Sequence, residues 1–179
     1  MLKRTSLWIA ILSLGVILVI LVSRLPFGNK PPVVLDSSKP INIYLLPDSN
    51  DSSLIQININ SSVEDSISAI AVRLTLEDKG GIKPADIKIL PDKTLSDSGW
   101  TYLIKNVKED FRPKRIVLEL ALVSLGPEGS KLKGEAVLAN IKIPVSSSLN
   151  IEDFKFDPRE TKVISKDSRE LLLGLGNLQ

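Results

Sequence analysis

Residues 68–77 read Ser68-Ala69-Ile70-Ala71-Val72-Arg73-Leu74-Thr75-Leu76-Glu77. Ile70, Val72, Leu74 and Leu76 fall on one face of an extended chain, and Arg73, Thr75 and Glu77 fall on the other. Successive side chains on a strand point to opposite faces, so this stretch predicts a strand buried on one side.

The same period continues in both directions. Upstream, Ile55, Ile57 and Ile59 alternate with Leu54, Gln56 and Asn58, and Ile41, Ile43 and Leu45 alternate with Asn42 and Tyr44. Asp48 to Ser52 makes a polar turn between these two strands. Downstream, Gly80-Gly81 and Pro84-Ala85-Asp86 break the pattern before Ile87 to Ile89. Trp100 to Val107 reads as a strand, and Lys114 to Leu125 as a central one carrying Ile116, Leu118, Leu120 and Leu122 on one face. Between them the basic run Lys105 to Arg115, interrupted by Glu109, Asp110 and Pro113, reads as a solvated loop. Gly134 to Val145 follows, with Leu138, Ile141 and Ile143 buried in either register, and then Ile151 to Phe156, Thr161 to Ile164 and Leu171 to Leu178. About nine short strands with turn signals between them, and no amphipathic helix, predict an all-β fold: a two-sheet antiparallel jelly-roll-like sandwich over residues 41–179.

The N-terminal end is of another kind. Leu7 to Val22 reads LWIAILSLGVILVILV, without a charge. Leu7, Trp8, Ile9, Ile11, Leu12, Leu14, Val16, Ile17, Leu18, Val19, Ile20, Leu21 and Val22 form its apolar surface. As a helix it spans ~24 Å, against a hydrocarbon core of ~30 Å that Leu25 and Phe27 help to match. Lys3 and Arg4 precede it, so the expected product is a single-pass membrane protein with its N-terminus in the cytoplasm and its C-terminal domain outside. Residues 1–28 are then a signal anchor and residues 29–40 a short linker stiffened by Pro31-Pro32. A cleaved signal peptide and a buried soluble helix are the competing readings. The run Leu21-Val22-Ser23-Arg24-Leu25-Pro26 lacks the small-residue pattern that cleavage requires.

Composition narrows the function. The chain has no cysteine and no histidine. That removes disulfides, thiol nucleophiles, Ser-His-Asp chemistry and most zinc sites. The formal charge is +2, but Lys3, Arg4, Arg24 and Lys30 flank the apolar segment and every acidic residue lies at Asp36 or later. The chain after Lys30 therefore holds 19 basic and 21 acidic residues, a net charge of −2 with the signs mixed. A nucleic-acid surface would cluster its basic residues. An enzyme is not expected, nor any cofactor.

The strand order and its punctuation resemble the cohesin domain, a sandwich close to some carbohydrate-binding modules. The segment Val72 to Asp78 followed by Ile87-Lys88-Ile89-Leu90 is similar to that family's early strand pair. Gly134 to Ile143 is similar to its G-x-L-A-x-I-x-F strand, and Phe154 to Asp157 with Thr161 to Leu173 to its closing strands. The resemblance implies a surface-displayed recognition module that engages a small helical, dockerin-like protein through the flat outer face of one sheet.

Other constellations carry chemistry of their own. Trp100 and Tyr102 lie two apart and share a face, the arrangement on which sugar-binding modules stack pyranose rings; a core edge is the alternative. Asp153, Asp157 and Glu160 have the oxygen chemistry of a hard-cation site, or pair with Lys155, Arg159 and Lys162. Asp48, Asn50 and Asp51 lack EF-hand spacing and read as a hairpin turn. Asp97-Ser98-Gly99 spells an aspartic-protease triplet but reads as the turn into the Trp100 strand. The leading expectation is a membrane-anchored docking module of cohesin type. A polysaccharide-binding module comes second, and a structural part of a surface assembly third.

Overall fold

The computed structural model describes residues 38–63, 66–77, 82–111, 114–126, 129–145 and 149–176. Ten strands occur among them: β1 (Ile41–Pro47), β2 (Leu54–Ser61), β3 (Ile67–Glu77), β4 (Lys88–Pro91), β5 (Trp100–Phe111), β6 (Lys114–Ser124), β7 (Gly134–Lys142), β8 (Phe154–Phe156), β9 (Lys162–Ser165) and β10 (Leu173–Gly176). They form two sheets. One has the order β10-β1-β2-β7-β4, the other the order β5-β6-β3-β8, with β9 also paired to β3.

The alternating stretches build the core as their pattern dictates. Ile43, Leu45, Ile57 and Ile59 from the first sheet, and Ile70, Leu74, Leu118 and Leu122 from the second, are all at most 1% exposed. Fully burying an aliphatic side chain of this size stabilises the fold by about 1.5–3 kcal/mol, before conformational entropy is charged against it. Leu173 and Leu175 of β10 pack against this core opposite Ile41 and Ile43.

Three β-bulges among the described residues adjust the sandwich; in β3, Ile67 pairs with Ser165 and Ala69 with Ile164, so Ser68 is an extra residue. In β7, Ile57 pairs with Ala139 and Asn58 with Val137, so Leu138 is an extra residue. The kink lets the consecutive residues Leu138 and Ala139 both reach 0% exposure. In β5, Tyr102 pairs with Leu122 and Ile104 with Ala121, which leaves Leu103 unpaired and 63% exposed.

The structure corrects the expectation in four places. The sandwich is not wholly antiparallel: β1 and β10 run parallel, from Ile41↔Leu173 to Tyr44↔Gly176. The described strands number ten rather than nine. The described residues of the run Lys105 to Arg115 are not a loop; they form the ends of β5 and β6, paired from Lys105↔Leu120 to Asp110↔Arg115. Its charges alternate across a strand, a pattern that net charge along the sequence does not separate from a solvated turn. A short helix α1 (Lys93–Asp97) also forms, capped where the Asp92 carboxylate accepts from the Leu95 amide at 2.9 Å. The apolar segment Leu7 to Val22 lies outside the described residues. Among the described residues no helix is long and apolar enough to cross a membrane.

Candidate docking face

The outer surface of the β5-β6-β3-β8 sheet divides into two zones. Strand alternation turns Ala69, Ala71, Arg73 and Thr75 of β3 outward, opposite the buried Ile70, Val72, Leu74 and Leu76. Cross-strand partners share a face, so Ala69 aligns with Val123 of β6 and Ile164 of β9, and Ala71 aligns with Ala121, which in turn meets Ile104 of β5. The result is a flat apolar strip of small and branched side chains, on which Ile104 is 46% exposed.

Beside the strip lies a charged zone. The Lys108 ammonium is 2.7 Å from the Glu119 carboxylate, and the Asn106 amide donates to the other oxygen at 3.4 Å. Lys108 holds the Glu119 carboxyl below the usual carboxylate range, against the opposing effect of its partial burial. The Arg73 guanidinium sits between Glu119 and Asp157 at 3.9 Å from each, close enough for charge pairing but beyond hydrogen-bond reach. Its Nε is buried without a hydrogen-bond partner. Exposed pairs of this kind contribute about 0–1 kcal/mol to stability, so the network's main effect is to fix the charge pattern of the face.

The opposite sheet buries two of its outward side chains, while Lys88, Leu90 and Lys142 on the same face are exposed. Tyr44 is 3% and Asn58 1% exposed, although alternation places both outward. The Tyr44 hydroxyl donates to the Glu135 carboxylate at 2.5 Å.

The residues singled out from sequence separate differently. Trp100 is 3% exposed and belongs to the core cluster. The Tyr102 hydroxyl donates to the Leu138 carbonyl at 2.5 Å and accepts from the Asp92 amide at 3.1 Å; burial raises its pKa. The pair therefore ties β5 to the β7 bulge and to the cap of α1, and it offers no exposed stacking platform. Asp153, Asp157 and Glu160 do not converge either. Asp153 accepts from the Asn150 amide at 2.8 Å, Asp157 accepts from the Arg159 amide at 3.1 Å, and Glu160 is exposed. No group of three or more acidic, histidine or cysteine residues that could hold a metal ion occurs among the described residues.

The two bland readings agree with the geometry. Asp48 accepts from the amides of Asn50 and Asp51 at 2.8 and 3.1 Å, the bonds of a hairpin turn. Gly99 of Asp97-Ser98-Gly99 has φ +94, a turn conformation that favours glycine.

Sequence reasoning found neither the Arg73–Glu119 pairing nor the Tyr44–Glu135 bond. Each joins strands far apart in the chain. A cleft of about 210 Å³ beside Lys83, Pro84, Glu109 and Arg115 is smaller than most small-molecule sites, which occupy ~300–1,000 Å³.

No family model matches the chain, and no curated protein matches it. Among solved structures, it is similar to a chain from the crystal structure of a CaDoc0917 variant in complex with CaCohA2 at pH 5.5. That match has 10% identity and a TM-score of 0.46, and covers 76% of this chain and 96% of the other.

Proposed function

We propose that the domain is a non-catalytic docking module that holds a small helical, dockerin-like protein against the outer face of the β5-β6-β3-β8 sheet. The observation that carries this reading is the apolar strip of Ala69, Ala71, Ala121, Val123, Ile104 and Ile164, bordered by the Arg73–Glu119–Lys108 charges. Protein interfaces pair an apolar centre with a polar rim, and small side chains let a partner helix approach closely. The absence of histidine and cysteine supports a binding role over catalysis. The charge-free run Leu7 to Val22 supports an anchored, extracytoplasmic setting in which the linker keeps the module near the membrane.

The test is a panel of dockerin-like domains presented to the full-length chain and to its Ala71→Arg and Ala121→Arg variants. Retention of one domain, lost in both variants but kept in Gln56→Arg on the other sheet, is the expected result. Equal retention by all four proteins, or no retention by the unaltered chain, would overturn the reading.

A further inference from the structure

We propose that β5 is a self-association edge, through which two copies of this chain join their sheets about a two-fold axis at Val107. β5 is the last strand of its sheet, and its pairing with β6 occupies one side only.

Printed bonds decide which backbone groups remain. The Asp157 amide donates to the Arg73 carbonyl at 2.9 Å, so Arg73 turns its backbone groups toward β8. Alternation then turns those of Val72 and Leu74 toward β6, where they meet Leu120 and Leu118. Val117, Glu119 and Ala121 consequently turn theirs toward β5. The Leu125 amide, donating to the Gly99 carbonyl at 3.3 Å, keeps the same alternation at the end of β6. Opposite them, Ile104, Asn106 and Lys108 spend their amides and carbonyls on β6. The groups of Lys105, Val107 and Glu109 are left pointing along the free edge, and no other described residue bonds them.

Charge selects the occupant and the register. Lys105 and Glu109 are exposed and lie two residues either side of Val107. An antiparallel pairing centred on Val107 sets Lys105 of each copy opposite Glu109 of the other, with the Val107 residues bonded to one another on the axis. Centring on Lys105, Lys108 or Glu109 instead sets like charges face to face, which destabilises a sheet pair. Centring on Asn106 leaves Lys105 opposite Val107, without its counter-charge. The bulge at Leu103 ends the regular ladder just before the self-complementary segment. A lysine on an edge strand ordinarily repels foreign strands. Here Lys105, which has no acidic partner among the described residues of its own chain, meets its counter-charge in a second copy of the same strand, so the edge selects self over other partners.

The chain has no cysteine, so one introduced thiol reports on one position. In the full-length chain under mild oxidation, Val107→Cys is expected to form a covalent dimer. The two Cα atoms across a hydrogen-bonded antiparallel pair lie ~5.5 Å apart, within disulfide reach. Glu109→Cys is expected to form no covalent dimer, because its two copies sit four residues apart along the strand, ~14 Å. Sedimentation of charge variants provides the second arm. Lys105→Glu and Glu109→Lys alone should each weaken the dimer about three- to tenfold, and the combined exchange should restore it. Cross-linking at Val107→Cys no faster than at Glu109→Cys, or a combined exchange no tighter than the single variants, would overturn the proposal.

Discussion

The Tyr44 hydroxyl reaches the Glu135 carboxylate across an intervening strand. Tyr44 lies on β1 and Glu135 on β7, and β2 runs between them. Two strand spacings are ~9.6 Å, so both side chains must lie flat over β2 to meet at 2.5 Å. Beneath them is Asn58, the cross-strand partner of Tyr44. Asn58 is 1% and Tyr44 itself 3% exposed, so both are buried on an outer face.

Tyr44→Phe removes the donor but leaves the exposed Glu135 free to bond water. It is expected to cost about 1 kcal/mol near neutral pH. Burial first, and then the bond and charge of Glu135, push the Tyr44 phenol well above its ordinary range. A group whose pKa is raised by folding contributes stability that is complete below its unfolded value, here about 10, and is lost as pH rises toward the folded value. Urea unfolding at pH 9 and pH 11 should therefore show a steeper alkaline loss in the unaltered protein than in Tyr44→Phe.

Asn58 is destabilising as it stands. Its Nδ2 is buried without a partner, which costs about 1–3 kcal/mol. Asn58→Val keeps a residue suited to a strand and removes the unpaired donor. A gain of about 1 kcal/mol in unfolding free energy is expected, and a loss would show that the amide is satisfied in solution.

The β1–β2 turn is acid-sensitive. The amides of Asn50 and Asp51 lower the Asp48 pKa, with help from the Gln56 amide, and the Ser53 hydroxyl and amide lower that of Asp51. Both carboxylates therefore contribute stability that is present above their unfolded pKa of about 4 and lost as pH falls through the lower folded values. Carboxyl-resolved NMR titration should find both below the ordinary aspartate range. Asp48→Asn should flatten the acid side of the stability profile.

Trp100→Ala empties a core position and is expected to cost about 3–5 kcal/mol, read from the denaturation midpoint. Tyr102→Phe should cost about 1 kcal/mol through its bond to the Leu138 carbonyl. A glycan array on which the chain and Tyr102→Phe bind and Tyr102→Leu does not, at unchanged stability, would revive the stacking role that this burial argues against.

Much of the sandwich was legible in period-two runs. Ile55, Ile57 and Ile59, and Ile70 through Leu76, are buried where alternation places them, because each strand loses one face to the core. The β5 extension beyond Val107 was not legible: its charged residues sit at the rim of the sandwich, and no apolar period marks them. Trp100 and Tyr102 share a face as their spacing requires, but spacing does not say which face is buried. The acidic trio fails for a related reason. Asp153 is tied locally to the Asn150 amide in a 3-10 turn, and Asp157 to Arg73 on another strand, a tie with no signature at short range.

By itself the sequence determined the strand period, the two aspartate-rich and glycine-marked turns, and the residue types available for chemistry. These are local matters, set by side-chain alternation and backbone preference over a few residues. Tertiary structure alone decided the parallel union of β1 with β10, the bond between Tyr44 and Glu135 across β2, and the apolar strip where Ala71, Ala121 and Ile104 align. Each depends on strands distant in the chain being brought into a definite register. That register is fixed by how the two apolar faces fit together in the core, a property of the whole sandwich rather than of any one stretch.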